Sequence, residues 1–542
     1  MATFRRSEEL RTMSTARYDV VVIGAGMTGA GVALDAASRG LRVALIDRGD
    51  FASGTSSKSS KMVHGGLRYL QQREFRLVYE SLRERQRLLR NAPYLIQPLP
   101  FLIPLFGSNG VASSAVVKGY ATALRIYDLS GGWRIGHRYR RITRAEALSH
   151  LPTLRTEKLV AGFLYYDAQG DDARVALTLA KTAAVTYRAN VANYVRAVDV
   201  VKGSSGRVEA VLCHDEISGE EFSVATKSVV NATGVWANDI FTMTEHDSTR
   251  RITPAKGVHV TVARDRLPAD VATILNVPND RRNIFVVPFY DAPYTYVGTT
   301  DTAYQGSLDD PRCTPEDVAY LLGAVNASTS SALGTTDVTA VWAGLRPLLA
   351  PTKGEAMSER TADLSRRHRV IDSGDGVVHV TGGKWTTYRQ MAEDAVDALK
   401  PYVANLAKVR TKSLPLYGVS AWRPSGGLEE HLYHRFGANA PGLIESIQHD
   451  PILGETPIAG QPYVAAEFVF SAREEMVMSL TDLLTRRTRA HLLDARATLA
   501  GAPDVARLVA PELNWDQDQI EGQVNDYRTL VEVEFSAAGL EL

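Results

Sequence analysis

Cysteine is scarce in this sequence. Only two occur among the 542 residues, Cys213 and Cys313, and their spacing matches neither a CxxC motif nor a set of metal ligands. We therefore expect no disulfide framework and no bound metal. The composition, 45% hydrophobic and 23% charged, is that of an ordinary globular protein and excludes an intrinsically disordered chain.

Long apolar runs and an excess of one charge are also missing. No stretch reaches the roughly 18 to 20 apolar residues that a spanning helix needs, and residues 1–17 lack the apolar run of a secretory signal. We interpret residues 1–17 as a disordered extension and expect a protein of the cytoplasm or of the inner face of the cell membrane. Basic and acidic residues balance at 61 each, which argues against nucleic acid as a partner.

The most apolar short run is YLIQPLPFLIPLF, over residues 94–106, which contains three prolines. A basic stretch follows it, with Arg134, Arg138, Arg140, Arg141 and Arg144. Two interpretations are open at this point. The run is either a buried loop beside a solvated basic face, or a peripheral membrane contact made from apolar side chains and cations.

A glycine-rich turn follows the first predicted strand. The apolar run DVVVI, over residues 19–23, is typical of a buried parallel strand, and GAGMTG comes directly after it. In this setting Gly24 permits the tight turn, Gly26 lets the backbone approach a pyrophosphate, and Gly29 lets the following helix pack closely on the strand. Asp47 ends the next strand, where a carboxylate can accept hydrogen bonds from an adenosine ribose. The pattern predicts a dinucleotide site but does not distinguish FAD from NAD.

Two later segments favour FAD. The segment VVNATG, over residues 229–234, resembles the ATG segment that closes over the cofactor in flavoproteins with two dinucleotide-binding domains. The segment VVHVTGG, over residues 377–383, is a strand that ends at paired glycines before a predicted helix from Trp385 to Leu399. The positive end of such a helix can stabilise the negative charge that a reduced flavin acquires.

The order of these patterns predicts the domain organisation. We expect an α/β fold, in which a discontinuous, Rossmann-like FAD-binding domain occupies residues 18–400. A mixed-sheet substrate domain is interleaved with it at roughly residues 96–150 and 251–340, since strand patterns dominate the middle of the chain. Residues 401–542 change to helical patterns and are predicted to form a helical C-terminal domain. An amphipathic helix is predicted over residues 74–90, because Phe75, Val78, Tyr79, Leu82 and Leu89 fall on one face at helical spacing.

Five separated motifs resemble those of the FAD-dependent glycerol-3-phosphate dehydrogenases. They are FASGTSSKSSKMVHGGLRYL (51–70), KGVH (256–259), GTTD (298–301), GLRPL (344–348) and GGKWTTYR (382–389). The resemblance extends in the same order over nearly the whole chain. It implies oxidation of sn-glycerol 3-phosphate to dihydroxyacetone phosphate by hydride transfer to FAD, with electrons passed to a membrane quinone. It also implies a peripheral membrane protein and a homodimer.

The resemblance assigns the contacts to FAD. Serine, threonine and glycine can bring hydroxyls and backbone amides to a pyrophosphate, and Lys58 and Lys61 add charge to the same segment. The cofactor residues predicted in this way are Gly24, Gly26, Met27, Thr28, Gly29, Asp47, Ser53, Thr55, Ser56, Ser57, Ser59, His64, Gly65, Gly66, Ala232, Thr233, Gly234, Gly382, Gly383, Lys384 and Trp385.

The substrate site is predicted from cations. A phosphate dianion needs several cationic donors, and the planar fork of arginine binds two phosphate oxygens at once. The resemblance implies substrate contacts by Arg68, Tyr69, His259, Arg346, Arg366 and Lys384, of which His259, Arg346 and Lys384 are also predicted to be catalytic. Arg346 lies between apolar residues, so a salt bridge to a buried carboxylate is its structural alternative. A neutral His259 could take the proton of the C2 hydroxyl, and an arginine-assisted route stays open.

Three other functions are alternatives for a chain with these motifs. A glycerol-3-phosphate oxidase would pass the electrons to oxygen. Relatives of that type tend to carry a longer inserted segment, which this sequence does not show. An amine or amino-acid oxidase of the same fold binds a carboxylate, for which one arginine suffices, so the several arginines argue against it. A flavoprotein without enzymatic activity is disfavoured by the joint presence of His259, Arg346 and Lys384.

Overall fold

Three β-sheets organise the chain. The structure is a computed structural model that describes residues 4–67, 69, 74–107, 113–245, 252–278, 280, 282–349 and 368–542. The strands in chain order are β1 (Arg17–Tyr18), β2 (Val20–Ile23), β3 (Val43–Ile46), β4 (Met62–Val63), β5 (Ile96–Phe106), β6 (Arg140–Thr143), β7 (Leu159–Gly170), β8 (Asn190–Ala192), β9 (Val195–Lys202), β10 (Val208–Asp215), β11 (Glu221–Thr226), β12 (Val229–Asn231), β13 (Ile252–Ala263), β14 (Ala272–Asn276), β15 (Asn283–Pro288), β16 (Tyr294–Gly298), β17 (Thr302–Ala303), β18 (Val338–Leu349), β19 (Arg369–Asp372) and β20 (Val377–Thr381).

Helices connect these strands and make up the C-terminal region. In chain order they are α1 (Arg6–Met13), α2 (Met27–Ser38), α3 (Phe75–Asn91), α4 (Ser114–Leu129), α5 (Arg144–His150), α6 (Asp172–Lys181), α7 (Ala237–Glu245), α8 (Pro315–Ser328), α9 (Tyr388–Ala398), α10 (Leu428–Phe436), α11 (Ala440–His449), α12 (Ala465–Glu474), α13 (Leu480–Asp482), α14 (Ala490–Leu493), α15 (Ala495–Leu513) and α16 (Gln517–Ala538). Short 3-10 turns include Thr55–Ser57, Gly132–Ile135, Gly234–Trp236 and Trp385–Thr387.

The first sheet has the predicted Rossmann-like character. Its strand order is β19-β20-β12-β2-β3-β8, and every neighbouring pair except β19 with β20 is parallel. Every residue of β2 and β3 is buried, as expected for strands covered on both faces. Helix α2 connects these two strands and packs against α9 and α6. The predicted α/β fold, with its βαβ unit, is therefore confirmed.

The second sheet is mixed and larger. Its path runs β17-β13-β16-β15-β14-β5-β7-β4, with β18 added beside β13 and β6 beside β7. Antiparallel pairs dominate, and β14 with β5 is parallel. Strands β4, β7 and the end of β18 lie beyond the ranges 96–150 and 251–340 that the sequence suggested, because these segments connect the two sheets.

The third sheet is small and corrects the interpretation of the N-terminus. Strand β1 pairs with β11 in the order β1-β11-β10-β9. The preceding residues, expected to be disordered, form helix α1 from residue 6 onward. Arg6 pairs with the carboxylate of Asp215 and donates to the carbonyl oxygens of Asn193 and Tyr194, and Met13 is fully buried. These contacts with distant residues hold the segment in place.

The apolar run at residues 94–106 is not a loop. Residues Ile96–Phe106 form strand β5, which pairs along its length with β7 and is largely buried. The expected loop and the expected membrane contact of this run were therefore wrong, whereas its burial was predicted correctly. The basic residues that follow, from Arg138 to Arg144, are mostly exposed. No helix among the described residues is long and apolar enough to cross a membrane.

The C-terminal region is helical, as predicted, and three of its arginines reach into the first domain. Arg487 donates to both oxygens of the buried Asp50 at 2.7 and 2.8 Å, and Arg486 donates to the same carboxylate. Arg489 lies 3.3 Å from Asp172, which begins helix α6. Buried charges of this kind are stable only when they are paired, so the C-terminal region completes the core of the nucleotide-binding domain.

Candidate active site

One large cavity lies between the first two sheets. Its volume is about 800 Å³, within the roughly 300–1,000 Å³ typical of ligand pockets. The cavity extends from the glycine turn after β2 to the facing strands β13 and β18 of the second sheet. A single space therefore connects the predicted dinucleotide site with the predicted substrate site.

The glycine turn has the geometry of a phosphate cradle. Gly24 adopts a positive φ of 102°, and a side chain there would meet the carbonyl oxygen of Ala232 at 2.7 Å. A side chain on Gly29 would lie 1.7 Å from the carbonyl oxygen of Gly24, so this glycine serves the close packing of α2. Helix α2 begins without a side-chain cap, and its first turn lines the cavity. Backbone N–H groups at such a helix start favour an anion.

Asp47 lies at the end of β3, beside this turn. Its Oδ2 accepts a hydrogen bond from the backbone N–H of Ala25 at 2.6 Å, and its Oδ1 accepts one from Gly49 at 2.9 Å. Burial raises the pKa of this carboxyl group to about 6, and the two backbone donors oppose the shift. The carboxylate is thus fixed at the carboxyl end of a parallel strand, where the ribose of a dinucleotide binds.

The serine-rich segment after β3 closes one side of the cavity. Ser56 Oγ accepts a hydrogen bond from the backbone N–H of Met27 at 2.8 Å, and Thr55 donates to the carbonyl oxygen of Leu345 at 2.6 Å. These two bonds attach the segment to α2 and to β18. It therefore crosses between the two sheets and presents its remaining polar groups to the cavity.

His259 lies in β13 and is 2% exposed. Its Nε2 is 2.7 Å from Ser60 Oγ, and its ring stacks on Trp342 with the centroids 4.7 Å apart. Burial lowers the pKa of His259 well below its usual value, and the positive charges of Lys61 and Arg346 lower it further. The imidazole is therefore neutral at neutral pH.

Arg346 lies in β18, and its guanidinium faces the same cavity. Nη2 donates to Thr299 Oγ1 and to the carbonyl oxygen of Thr300, both at 3.2 Å, and Nη1 is 3.4 Å from Asp301. Asp301 supplies the buried carboxylate of the salt bridge predicted as the structural alternative for Arg346. The side chain of Arg346 is nevertheless 22% exposed, so the guanidinium contacts both a carboxylate and the cavity.

Lys384 follows the paired glycines after β20. Both Gly382 and Gly383 have positive φ values, of 75° and 80°, which carry the chain from the strand into the 3-10 turn that starts α9. Lys384 Nζ lies 3.8 Å from the centre of the Tyr69 ring. A cation above an aromatic face is stabilised by the ring, so the two side chains hold each other at this end of the cavity.

Most predicted site residues line this cavity. Those that do are Gly24, Gly26, Met27, Thr28, Asp47, Ser53, Thr55, Ser56, Ser59, His64, Tyr69, Ala232, Thr233, Gly234, His259, Arg346, Gly382, Gly383, Lys384 and Trp385. Four predicted cofactor residues, Gly29, Ser57, Gly65 and Gly66, do not line it. Gly65, for example, donates its backbone N–H to Tyr127 behind the cavity wall. Arg68 and Arg366 lie outside the described residues.

Several lining residues had no signal in the sequence. Ser60 is one hydroxyl among many in SSKSSK, and only its contact with His259 distinguishes it. Trp236 and Asp309 come from distant segments, and the indole Nε1 of Trp236 donates to Asp309 at 2.8 Å. Arg48 pairs with the same carboxylate and lies over the Trp236 ring. Sequence motifs could not find this cluster because it forms only where the two sheets meet.

Comparisons with known proteins agree with this site. Residues 19–389 match the FAD dependent oxidoreductase family, and residues 382–520 match the C-terminal domain of alpha-glycerophosphate oxidase. The fold and the site thus define an FAD-dependent oxidoreductase.

Individual relatives narrow the class. Glycerol-3-phosphate dehydrogenase 2 of Mycobacterium tuberculosis is 39% identical over 98% of this chain and 91% of its own length. The human mitochondrial glycerol-3-phosphate dehydrogenase is 35% identical over 95% of this chain and 74% of its own length. A crystal structure of the glycerol-3-phosphate dehydrogenase of Bacillus halodurans complexed with FAD has a TM-score of 0.76 and 28% identity, and covers 97% of both chains. The chain belongs to the FAD-dependent glycerol-3-phosphate dehydrogenase family, which confirms the family and the cofactor predicted from the motifs.

Proposed function

We propose that this protein oxidises sn-glycerol 3-phosphate to dihydroxyacetone phosphate, with FAD as the hydride acceptor and a membrane quinone as the final electron acceptor. One observation carries the proposal: His259, Arg346 and Lys384 come from three distant segments and line the same cavity as the glycine turn. Family membership supports the reaction.

The residues of the first sheet are suited to FAD. The glycine turn and the start of α2 would bind the pyrophosphate, and Asp47 would bind the ribose. A side chain on Gly26 would approach Ser56 Oγ at 3.0 Å, so glycine at this position lets Ser56 pack against the turn and accept the hydrogen bond from Met27. Bound FAD supplies a two-electron acceptor for the hydride of the substrate.

The substrate phosphate would bind at the guanidinium of Arg346. There the guanidinium would donate charge-assisted hydrogen bonds to phosphate oxygens in place of its long contacts with residues 299–301. Lys384 would add a second positive charge, which also favours the negative charge gained on reduction. Arg68 and Arg366 are proposed as further phosphate ligands on the strength of the motifs alone.

His259 is proposed to accept the proton of the C2 hydroxyl. A neutral imidazole can accept a proton, and burial, together with the positive charges of Lys61 and Arg346, lowers the pKa of His259 so that it is neutral before the reaction. We favour this histidine over an arginine-assisted route because an arginine side chain stays protonated.

A peripheral membrane contact is part of the proposal, and the surface of α4 supports it. Leu129 is 83% exposed and Trp133, in the turn after this helix, is 53% exposed. Exposed arginines follow at positions 138, 140 and 141. Apolar side chains next to cations suit an anionic bilayer surface such as the inner face of the cell membrane. The cytoplasmic location and the homodimer stay predictions.

Anaerobic spectroscopy tests the reaction. Addition of sn-glycerol 3-phosphate to the FAD-loaded protein should bleach the flavin absorbance, whereas glycerol, which lacks the phosphate, should not at equal concentration. A flavin that sn-glycerol 3-phosphate leaves oxidised would show that the substrate is wrong.

An oxidase is the second candidate, because residues 382–520 match a domain named for alpha-glycerophosphate oxidase. Turnover in air distinguishes the two acceptors. A dehydrogenase should turn over with a soluble quinone and release little peroxide. Peroxide formed in proportion to product would favour the oxidase and would refute the quinone as the electron acceptor.

A further inference from the structure

The hydrogen bond between Ser60 and His259 is the closest polar contact of the histidine. Ser60 Oγ lies 2.7 Å from His259 Nε2, and both residues line the cavity. Ser60 is partly exposed, whereas His259 is 2% exposed. The serine, which is the more exposed of the two, therefore contacts both the cavity and the reactive nitrogen of the imidazole.

The histidine ring has little freedom to turn toward the cavity. It stacks on Trp342 with 9° between the ring planes, and a side chain on Gly298, its partner in β16, would meet the ring carbon Cδ2 at 2.0 Å. Nδ1 is buried and has no hydrogen-bond partner in the described part of the chain. Nε2 is thus the nitrogen that can accept a proton from a group in the cavity, and its hydrogen-bond partner is the Ser60 hydroxyl.

Ser60 is itself held on both sides. Its carbonyl oxygen accepts a hydrogen bond from the Tyr296 hydroxyl at 2.9 Å. The backbone N–H of the preceding Ser59 donates to Asp172 at 3.0 Å, and the carbonyl oxygen of the following Lys61 accepts from Gly170 at 3.0 Å. This backbone support keeps the hydroxyl at one position, as a group that takes part in chemistry requires.

We propose that the Ser60 hydroxyl relays the substrate proton to His259. The proposal rests on the proposed oxidation of sn-glycerol 3-phosphate. The C2 hydroxyl gives its proton to Ser60 Oγ while the proton of Ser60 moves to His259 Nε2. The C2–H bond breaks at the same stage, and its hydrogen leaves with both electrons for FAD, so that the C2–O bond becomes the carbonyl of the product. The relay requires a neutral imidazole protonated at Nδ1.

The surrounding charges return the histidine to its starting state. Burial, together with the positive charges of Lys61 and Arg346, disfavours a positive charge on the imidazole. Once the product has left, the proton returns through Ser60 to water in the cavity. Ser60 is therefore assigned as a catalytic residue. Lys61 is assigned as a residue that helps to keep His259 neutral.

Three variants test the relay in anaerobic stopped-flow measurements of flavin bleaching. Ser60→Ala should reduce the rate by about 10²-fold, as the loss of a general acid–base group does, with the FAD content unchanged. Its rate should rise steadily with pH, because the proton must then leave to solvent base. Ser60→Thr, which keeps the hydroxyl, should restore at least about tenfold of the loss. Ser149→Ala is the matched control, since Ser149 is an exposed serine bonded to a helix carbonyl.

The outcomes separate the relay from the reaction itself. A Ser60→Ala protein that bleaches at the wild-type rate with the wild-type pH profile would overturn the relay and leave the proposed function intact. Loss of FAD from Ser60→Ala would also overturn it, since Ser60 would then be a cofactor ligand. A wild-type flavin that is not bleached at all would remove the reaction, and the relay with it.

Discussion

Replacement of Arg346 by alanine should weaken substrate binding without loss of the cofactor. The three contacts of the guanidinium with residues 299–301 measure 3.2 to 3.4 Å, longer than the roughly 2.7–2.9 Å of a strong charge-assisted hydrogen bond. A phosphate dianion can replace these long contacts with two such strong bonds. Each hydrogen bond to a charged group contributes about 1.5–3 kcal/mol.

The lower end of this range, about 3 kcal/mol for two bonds, corresponds to roughly a 10²-fold change at about 1.4 kcal/mol per tenfold. We therefore expect Arg346→Ala to raise the KM for sn-glycerol 3-phosphate about 10²-fold, with kcat changed much less, because the contact stabilises bound substrate and transition state alike. Arg346→Lys keeps the charge but not the fork and should show an intermediate effect.

Steady-state kinetics with a soluble quinone, together with the ratio of flavin to protein, provide the measurement. Arg266→Ala is the control, since Arg266 forms an exposed pair with Asp337 near the other end of the second sheet. A purified Arg346→Ala protein that has lost FAD, or one with an unchanged KM, would refute the placement of the phosphate at this guanidinium.

Three further predictions follow from other parts of the structure. Arg487→Met should lower the free energy of unfolding by about 3–5 kcal/mol, because it removes a partner of the buried Asp50. Arg473→Met breaks an exposed pair with Glu512 and should lower the free energy of unfolding by less than about 1 kcal/mol. Equal losses for the two variants in denaturant titrations would contradict the stabilising role of the buried pair between Arg487 and Asp50. Because the pKa of His259 is well below 6.5, flavin bleaching should be constant between about pH 6.5 and 8 and slow only in more acid solution. The unfolded chain binds this proton near pH 6.5 while the folded chain does not, so the stability that His259 contributes falls below that pH. An acid limb of the bleaching rate above pH 7 would argue against a neutral histidine. Asp309→Asn should speed FAD release on dilution, measured by flavin fluorescence, because Asp309 joins Arg48 to Trp236 at the cavity wall. Asp310→Asn breaks a pair with Arg312 that does not line the cavity, and it should leave the rate of release unchanged.

Local patterns predicted the part of the site that one segment of chain builds. The apolar strand, the glycine turn and the carboxylate at Asp47 are close in sequence, so their spacing alone fixes their relative positions. The predicted helix at residues 74–90 was likewise found as α3, within one residue at each end. Its buried face was predicted less well, since Phe75 and Tyr79 are exposed while Arg85 is fully buried.

The remaining features depend on partners that no local pattern reveals. Arg85 can be buried only because Asp167 and two carbonyl oxygens receive its hydrogen bonds. Helix α1 forms against residues about two hundred positions away in the chain. Strand β5 tolerates its prolines because β14 pairs with it only at Phe101 and Leu102, so the prolines lie where β5 has β7 alone beside it. The contact of Ser60 with His259 is of the same kind, which is why motifs pointed to the histidine and missed the serine.

The arginines at positions 486, 487 and 489 bear on how the chain is made. Every residue predicted to bind FAD lies before residue 400, yet Asp50 and Asp172 obtain these counter-charges from a segment near the C-terminus. During synthesis the nucleotide-binding domain therefore emerges from the ribosome with two core carboxylates that still lack these partners. Completion of that domain, and stable loading of its cofactor, must wait until residues 486–489 have emerged as well.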